Sequence, residues 1–248
     1  MKKIFLLFPA IMIMLASLNA EIITKTEMAN NAVKNGVVSD YNKEGYLVKE
    51  WNYQDGKLNG VTRDYFLDGE IAIESNYLNN RLNGQTIMYH ENGEIYRIVE
   101  YKDDLLNGQS AEYNEEGNLL IVSLYKNEKL EGKYIEYYPN GNEKLIGQYL
   151  KGMKHGDFIA YSENDFPSES MSYKNDLLNG LYISYYPNGN TSVVTEYLNG
   201  KKNGLHKIYF ADKPQVATYQ DIYKDDIIVE SKIYADDGTL QSTRTFDF

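Results

Sequence analysis

The chain has 248 residues, a formal net charge of −11 and no cysteine, which excludes a disulfide-stapled miniprotein and makes nucleic acid or an anionic membrane a poor partner. Tyrosine supplies 24 residues and tryptophan one, a balance that suits a thin sheet of half-exposed rings better than a deep core. The length would ordinarily allow one or two domains, but a short internal period takes up nearly all of it.

Residues 1–20, MKKIFLLFPAIMIMLASLNA, place Lys2 and Lys3 before an apolar run that ends in small residues at Ala20. This is the pattern of a secretory signal peptide, shorter than a membrane span. Leu18 departs from the small residue preferred three places before the expected cut, so export is better marked than the cleavage point. The expected location is periplasmic or extracellular, and loss of the two lysines takes the charge from −11 to −13. Residues 21–35 fit only the tail of a repeat, with Ala29 in a tyrosine slot, and are expected to form an N-terminal cap.

From Gly36 to residue 229, eight units follow in register. Glycines recur every 24 residues at Gly36, Gly60, Gly84, Gly108, Gly132, Gly156, Gly180 and Gly204. Five places later come Tyr41, Tyr65, Tyr89, Tyr113, Tyr137, Tyr161, Tyr185 and Tyr209. A second glycine column stands at Gly45, Gly69, Gly93, Gly117, Gly141 and Gly189, and a second tyrosine column at Tyr53, Tyr77, Tyr101, Tyr125, Tyr149, Tyr173 and Tyr197. Within each unit two runs alternate, as in Ile135 with Tyr137 and Leu119, Ile121 with Tyr125, which predicts half-buried strands. Asn-Gly between such runs, at Asn140-Gly141 and Asn188-Gly189, predicts a hairpin tip because glycine accepts positive φ.

The joins between units are polar turns carrying Leu58, Leu82, Leu106, Leu130 and Leu178, each expected to fold over the neighbouring tyrosines. Asp165 replaces a tip glycine and predicts a remodelled tip; Lys213 replaces another, and Tyr223 arrives two residues late. Tyr234, Gly238 and Phe246 restore the spacing, so residues 230–248 read as a capping half-repeat. The fold class is all-β: an elongated single-layer antiparallel meander, about 75–80 Å long if some sixteen strands lie about 4.8 Å apart.

Tips such as Tyr137-Tyr138-Pro139-Asn140-Gly141 and joins such as Gly152-Met153-Lys154-His155-Gly156 resemble the MORN repeat family, specifically its bacterial variant. The resemblance implies a single antiparallel sheet with a concave groove and a role as an interaction scaffold. Some relatives are proposed to touch membrane lipids, and some bacterial members are labelled antitoxins. Others inherit a phosphoinositide kinase label, for which the repeats here leave no catalytic domain.

Catalysis needs unlike residues converging, whereas this chain repeats like ones. His90, His155 and His206 fall in different units and phases, so no catalytic or metal site is expected among them. The acidic joins Lys102-Asp103-Asp104, Asn175-Asp176 and Lys224-Asp225-Asp226 lack calcium-loop spacing and read as solvated turns. No phosphate-binding loop and no cofactor motif is found in the sequence. The remaining candidate is a strip of aromatics outside the repeat columns, Tyr134, Tyr138, Phe158, Tyr182 and Tyr186, expected on the side opposite Ile135. The reading is a non-enzymatic, exported scaffold for a protein partner; the alternatives are a cell-wall, glycan or membrane-surface module and an antitoxin-like protein.

Overall fold

In a computed structural model the described residues are 35–246. The expected leader, and the expected cap up to residue 34, lie outside them. Among the described residues there is no helix, and all twenty elements are strands. They divide into two units, one ending at Gly93 and one beginning at Glu94.

The first unit holds β1 (Asn35–Tyr41), β2 (Leu47–Gln54), β3 (Lys57–Leu58), β4 (Gly60–Tyr65), β5 (Ile71–Leu78) and β6 (Arg81–Tyr89). The second holds β7 (Ile95–Lys102), β8 (Leu105–Tyr113), β9 (Leu119–Lys126), β10 (Lys129–Tyr137), β11 (Glu143–Leu150), β12 (Met153–Lys154) and β13 (Gly156–Tyr161). It continues through β14 (Pro167–Lys174), β15 (Leu177–Tyr185), β16 (Thr191–Leu198), β17 (Lys201–Tyr209), β18 (Ala217–Lys224), β19 (Ile227–Tyr234) and β20 (Leu240–Thr245). Inside each unit, strands pair antiparallel with their chain neighbours, so each is an open single-layer meander.

The two residue columns pair in register. Gly132 stands directly opposite Tyr149, Gly156 opposite Tyr173 and Gly180 opposite Tyr197. What these glycines need is positive φ, +97 at Gly132, +83 at Gly156 and +119 at Gly180, which a residue without Cβ adopts at least cost. The same glycines sit in a bulge on their other side. Leu130 faces Tyr125 and Tyr134 faces Ser123, so Glu131, Gly132 and Lys133 share the single partner Leu124. Gly132 takes φ +97 there, and a Cβ on it would lie 3.4 Å from Leu124 Cδ1. The repeat glycine is therefore inside a bent strand.

The tips have one design. Tyr138 N–H donates to Asn142 O (2.8 Å), and Gly141 N–H to Tyr138 O (2.9 Å) with φ +89 at Gly141. That is a type I turn closed by a left-handed residue. The tip at Asp165 is not remodelled, contrary to the expectation. Ser162 N–H donates to Phe166 O (2.8 Å), Asp165 N–H to Ser162 O (3.0 Å), and Asp165 takes φ +64 in the glycine's place. Asp tolerates that conformation better than most side chains, so the backbone is kept. At Lys213 the loop does lengthen, with Phe210 N–H reaching Val216 O.

The joins are two-residue hairpins with positive φ at both positions, 52° and 71° at Asn79 and Asn80. This is the type I′ geometry that matches strand twist, here built mainly by Asn and Asp. Successive joins are stapled: Asp176 N–H donates to Lys154 O (3.1 Å) while Asp176 Oδ1 accepts from Lys154 N–H (2.8 Å). Asn80 does the same to Leu58. Leu130 does fold into the tyrosines, forming the buried cluster with Tyr134, Tyr149 and Phe158.

Candidate functional site

Register sorts the second unit's side chains onto two faces. One face carries a row across neighbouring strands: Ser123 opposite Tyr134, Tyr134 opposite Gly147, then Phe158 opposite Met171, Met171 opposite Tyr182, Tyr182 opposite Thr195. The repeat tyrosines lie beside it and the rings meet edge to face. Centroids are 5.3 Å apart for Tyr134–Tyr149, 5.6 Å for Tyr149–Phe158 and 5.2 Å for Phe158–Tyr173. Tyr134 is 8 % exposed and Phe158 fully buried. The Lys154 ammonium lies over both Phe158 (5.1 Å) and Tyr173 (5.0 Å), closing the row from above.

The expected aromatic strip is therefore closed at Tyr134 and Phe158, which are buried, while Tyr138, Tyr182 and Tyr186 are half-buried. Tyr134, Phe158 and Tyr182 belong to this packed row, and burial of Phe158 alone stabilises the sheet by about 1.5–3 kcal/mol. The Tyr134 hydroxyl donates to Glu136 Oε1 at 2.8 Å, and burial with that carboxylate pushes its pKa upward. Tyr182 is pushed up to about 12 by burial and by its bond to Glu169. Tyr138 and Tyr186 are elsewhere, at tips. Tyr138 donates to Tyr161 O (2.9 Å) and Tyr186 to Tyr209 O (2.8 Å). Asn140 and Asn142 both reach Glu163 O, and Asn188 and Asn190 both reach Ala211 O, so each Tyr-Pro-Asn-Gly-Asn tip clamps the next one.

The same row ends in a polar stretch that sequence spacing kept apart. Thr195 Oγ1 lies 2.8 Å from His206 Nδ1, and His206 stands opposite Asp221. Thr195 and Asp221 are each 2 % exposed, so neither is open to a substrate, and burial lowers the His206 pKa. His155 points its buried Nδ1 at no partner. Among the described residues no group of three or more His, Cys, Asp or Glu is placed to hold a metal.

The opposite face carries an aliphatic stripe across nine strands: Ile98, Ala111, Val122, Ile135, Ile146, Ile159, Ser170, Ile183 and Val194 are successive cross-strand partners. All are half-buried except Ile135, at 7 % exposure. Leu124 and Leu181 alternate with Val122 and Ile183 onto this face and are 40 % and 45 % exposed. In the first unit three of the five matching positions are charged, Glu50, Arg63 and Glu74, beside Ser39 and Ile87: Arg63 pairs with Glu74 at 2.7 Å, and the Tyr65 hydroxyl donates to Glu50 at 2.6 Å. The stripe, which sequence reading treated only as strand packing, gives the second unit an apolar face opposite the aromatic row.

Three segments, residues 82–103, 130–151 and 178–200, match the family model of the MORN repeat variant. Two of them contain the clamping tips. No curated protein matches the chain. Among solved structures, the crystal structure of TcdB2-TccC3-Cdc42 aligns at 13 % identity over 84 % of this chain and 13 % of that one, with a TM-score of 0.22. That of TcdB2-TccC3 aligns at 10 % identity over 84 % and 15 %, with a TM-score of 0.21. The chain thus spans about one-seventh of those chains or less. With matches at regular intervals on hairpins of one design, these three segments are repeats of the MORN variant type.

Proposed function

We infer that the protein is a non-enzymatic, exported scaffold that holds a protein partner on the aliphatic face of its second unit. MORN repeats generally serve protein or membrane interaction. The observation that carries the reading is the aliphatic stripe, Ile98 to Val194, on the face opposite the packed aromatic row. Exposed Leu124 and Leu181 extend the stripe, and apolar side chains gathered on one face favour interaction. The net charge of −11 argues for a protein surface over an anionic membrane. A glycan-binding reading would need open ring platforms, and the rings of Tyr134, Tyr149 and Phe158 are closed against each other.

A photo-crosslinking residue at Ile159, with another at Met171 on the aromatic row as control, tests this in the native cell. The expected result is a discrete protein adduct from Ile159 that Ile146→Glu abolishes. Retention on purified cell wall without such an adduct would overturn the reading.

A further inference from the structure

Where like positions carry like residues, a binding site shows as departures from the pattern gathered in one place. The joins β9–β10 and β11–β12 gather three. Lys126 and Lys129 stand directly opposite each other. Like charges so placed are destabilising, and the other joins put at most one cation in that pair, as in Leu78/Arg81, Lys102/Leu105 and Lys174/Leu177. Lys151 takes φ +54 at a turn position that Asn or Asp fills in the other seven described joins. A long side chain is held there at a cost those residues avoid. Glu131 replaces the asparagine of Asn35 and Asn179, and its Oε2 accepts the Lys151 N–H at 2.7 Å, fixing the turn.

These residues, with Asn127, line one cleft of about 410 Å³. Three ammonium groups and one carboxylate give it a positive balance in a chain of charge −11, and none of the three lysines makes an ion pair among the described residues. The strand that carries Lys129 and Glu131 is anchored by Leu130 between them, which is buried in the aromatic cluster. Exposed Leu124 lies two residues before Lys126, and exposed Leu150 directly precedes Lys151.

The geometry points to this cleft as the seat of an acidic segment of a protein partner, with carboxylates between the lysines and aliphatic side chains against the leucines. The inference rests on the protein-binding reading and narrows it to partners of that chemistry. Two locally unfavourable lysine placements at one cleft are explained by a ligand that neutralises both.

The probe is a short fluorescein-labelled peptide of glutamate and leucine, with a lysine–leucine peptide as control, followed by anisotropy against the full chain. Binding of the acidic peptide is expected, weakened about tenfold or more in the triple variant Lys126→Gln, Lys129→Gln, Lys151→Gln and further weakened by salt. A second triple, Lys174→Gln, Lys201→Gln, Lys224→Gln, removes the same charge from other joins and is expected to bind within about twofold of the parent. Equal loss in both triples, no binding of the acidic peptide, or citrate bound with the same lysine dependence while the peptide is not, would each overturn the proposal. Unchanged melting of both triples shows that they fold. An Ile159 adduct alongside a failed peptide assay would leave the scaffold reading standing and remove only the cleft.

Discussion

The ring of Phe158 rests on the backbone of Gly147, so closely that a Cβ on Gly147 would lie 2.1 Å from the ring's Cε1. The ring cannot retreat, because Tyr149 and Tyr173 hold it edge-on from both sides. Gly147 has no positive φ, so the cost of a side chain there is steric alone. Gly147→Ala is expected to destabilise the second unit by about 1–3 kcal/mol, read as a lower urea midpoint of the full chain. Adding Phe158→Leu should restore part of the loss. An unchanged midpoint in the single variant would show that the row has slack.

Hairpins, joins and period were legible because each rests on local chemistry: glycine or Asn/Asp at a turn, and alternation on either side. The pairing of Gly132 with Tyr149 follows from the spacing once a hairpin is drawn. The bulge around Gly132 does not, since it depends on how Leu124 of the preceding strand meets it. Alternation correctly set Tyr134 and Phe158 opposite Ile135, but it cannot say which face closes. Closure comes from Tyr149 and Tyr173, brought alongside by register. Lys126, Lys129 and Lys151 are ordinary residues in sequence order, and only adjacent joins make them a group.

The clamping tips carry a second prediction. Tyr138→Phe removes the donor to Tyr161 O while keeping the ring, and an exchanged hydrogen bond of this kind is worth about 0.5–1.5 kcal/mol. Because the bond joins two tips, hydrogen exchange at the tip around Ser162 should quicken more than global stability falls. Tyr186→Phe should do the same at the tip following Tyr209. Exchange that quickens equally in the joins would mean that the hydroxyl supports the whole sheet.

His206 makes stability depend on pH. Burial first, and the Lys202 ammonium second, hold its pKa below the usual 6.5, with Asp221 opposing them and Tyr223 edge-on to the ring at 5.9 Å. The unfolded chain therefore takes up this proton first as pH falls. The contribution of His206 is complete above 6.5 and is lost as pH drops through and below it. Urea midpoints taken from about pH 8 down to about pH 5 should fall more steeply for the parent than for His206→Gln. Parallel curves would mean that the imidazole is solvated in both states.

Gly141 and Asp165 occupy the same place in two tips, at φ +89 and φ +64, with matching turn hydrogen bonds. No atom stands within 4 Å of a Cβ built on Gly141, so a substitution there meets backbone strain and no clash. Gly141→Val should cost about 1–3 kcal/mol, because a β-branched residue is forced into a left-handed conformation. Asp165 already bears a milder form of that strain. Asp165→Gly should therefore stabilise the chain, by up to about 1 kcal/mol after the glycine's greater unfolded-state entropy is offset, read as a higher urea midpoint. The paired signs are the test: strain predicts opposite shifts for adding a side chain at 141 and removing one at 165. A loss at both would mean that the Asp165 carboxylate, and not the backbone angle, governs the tip.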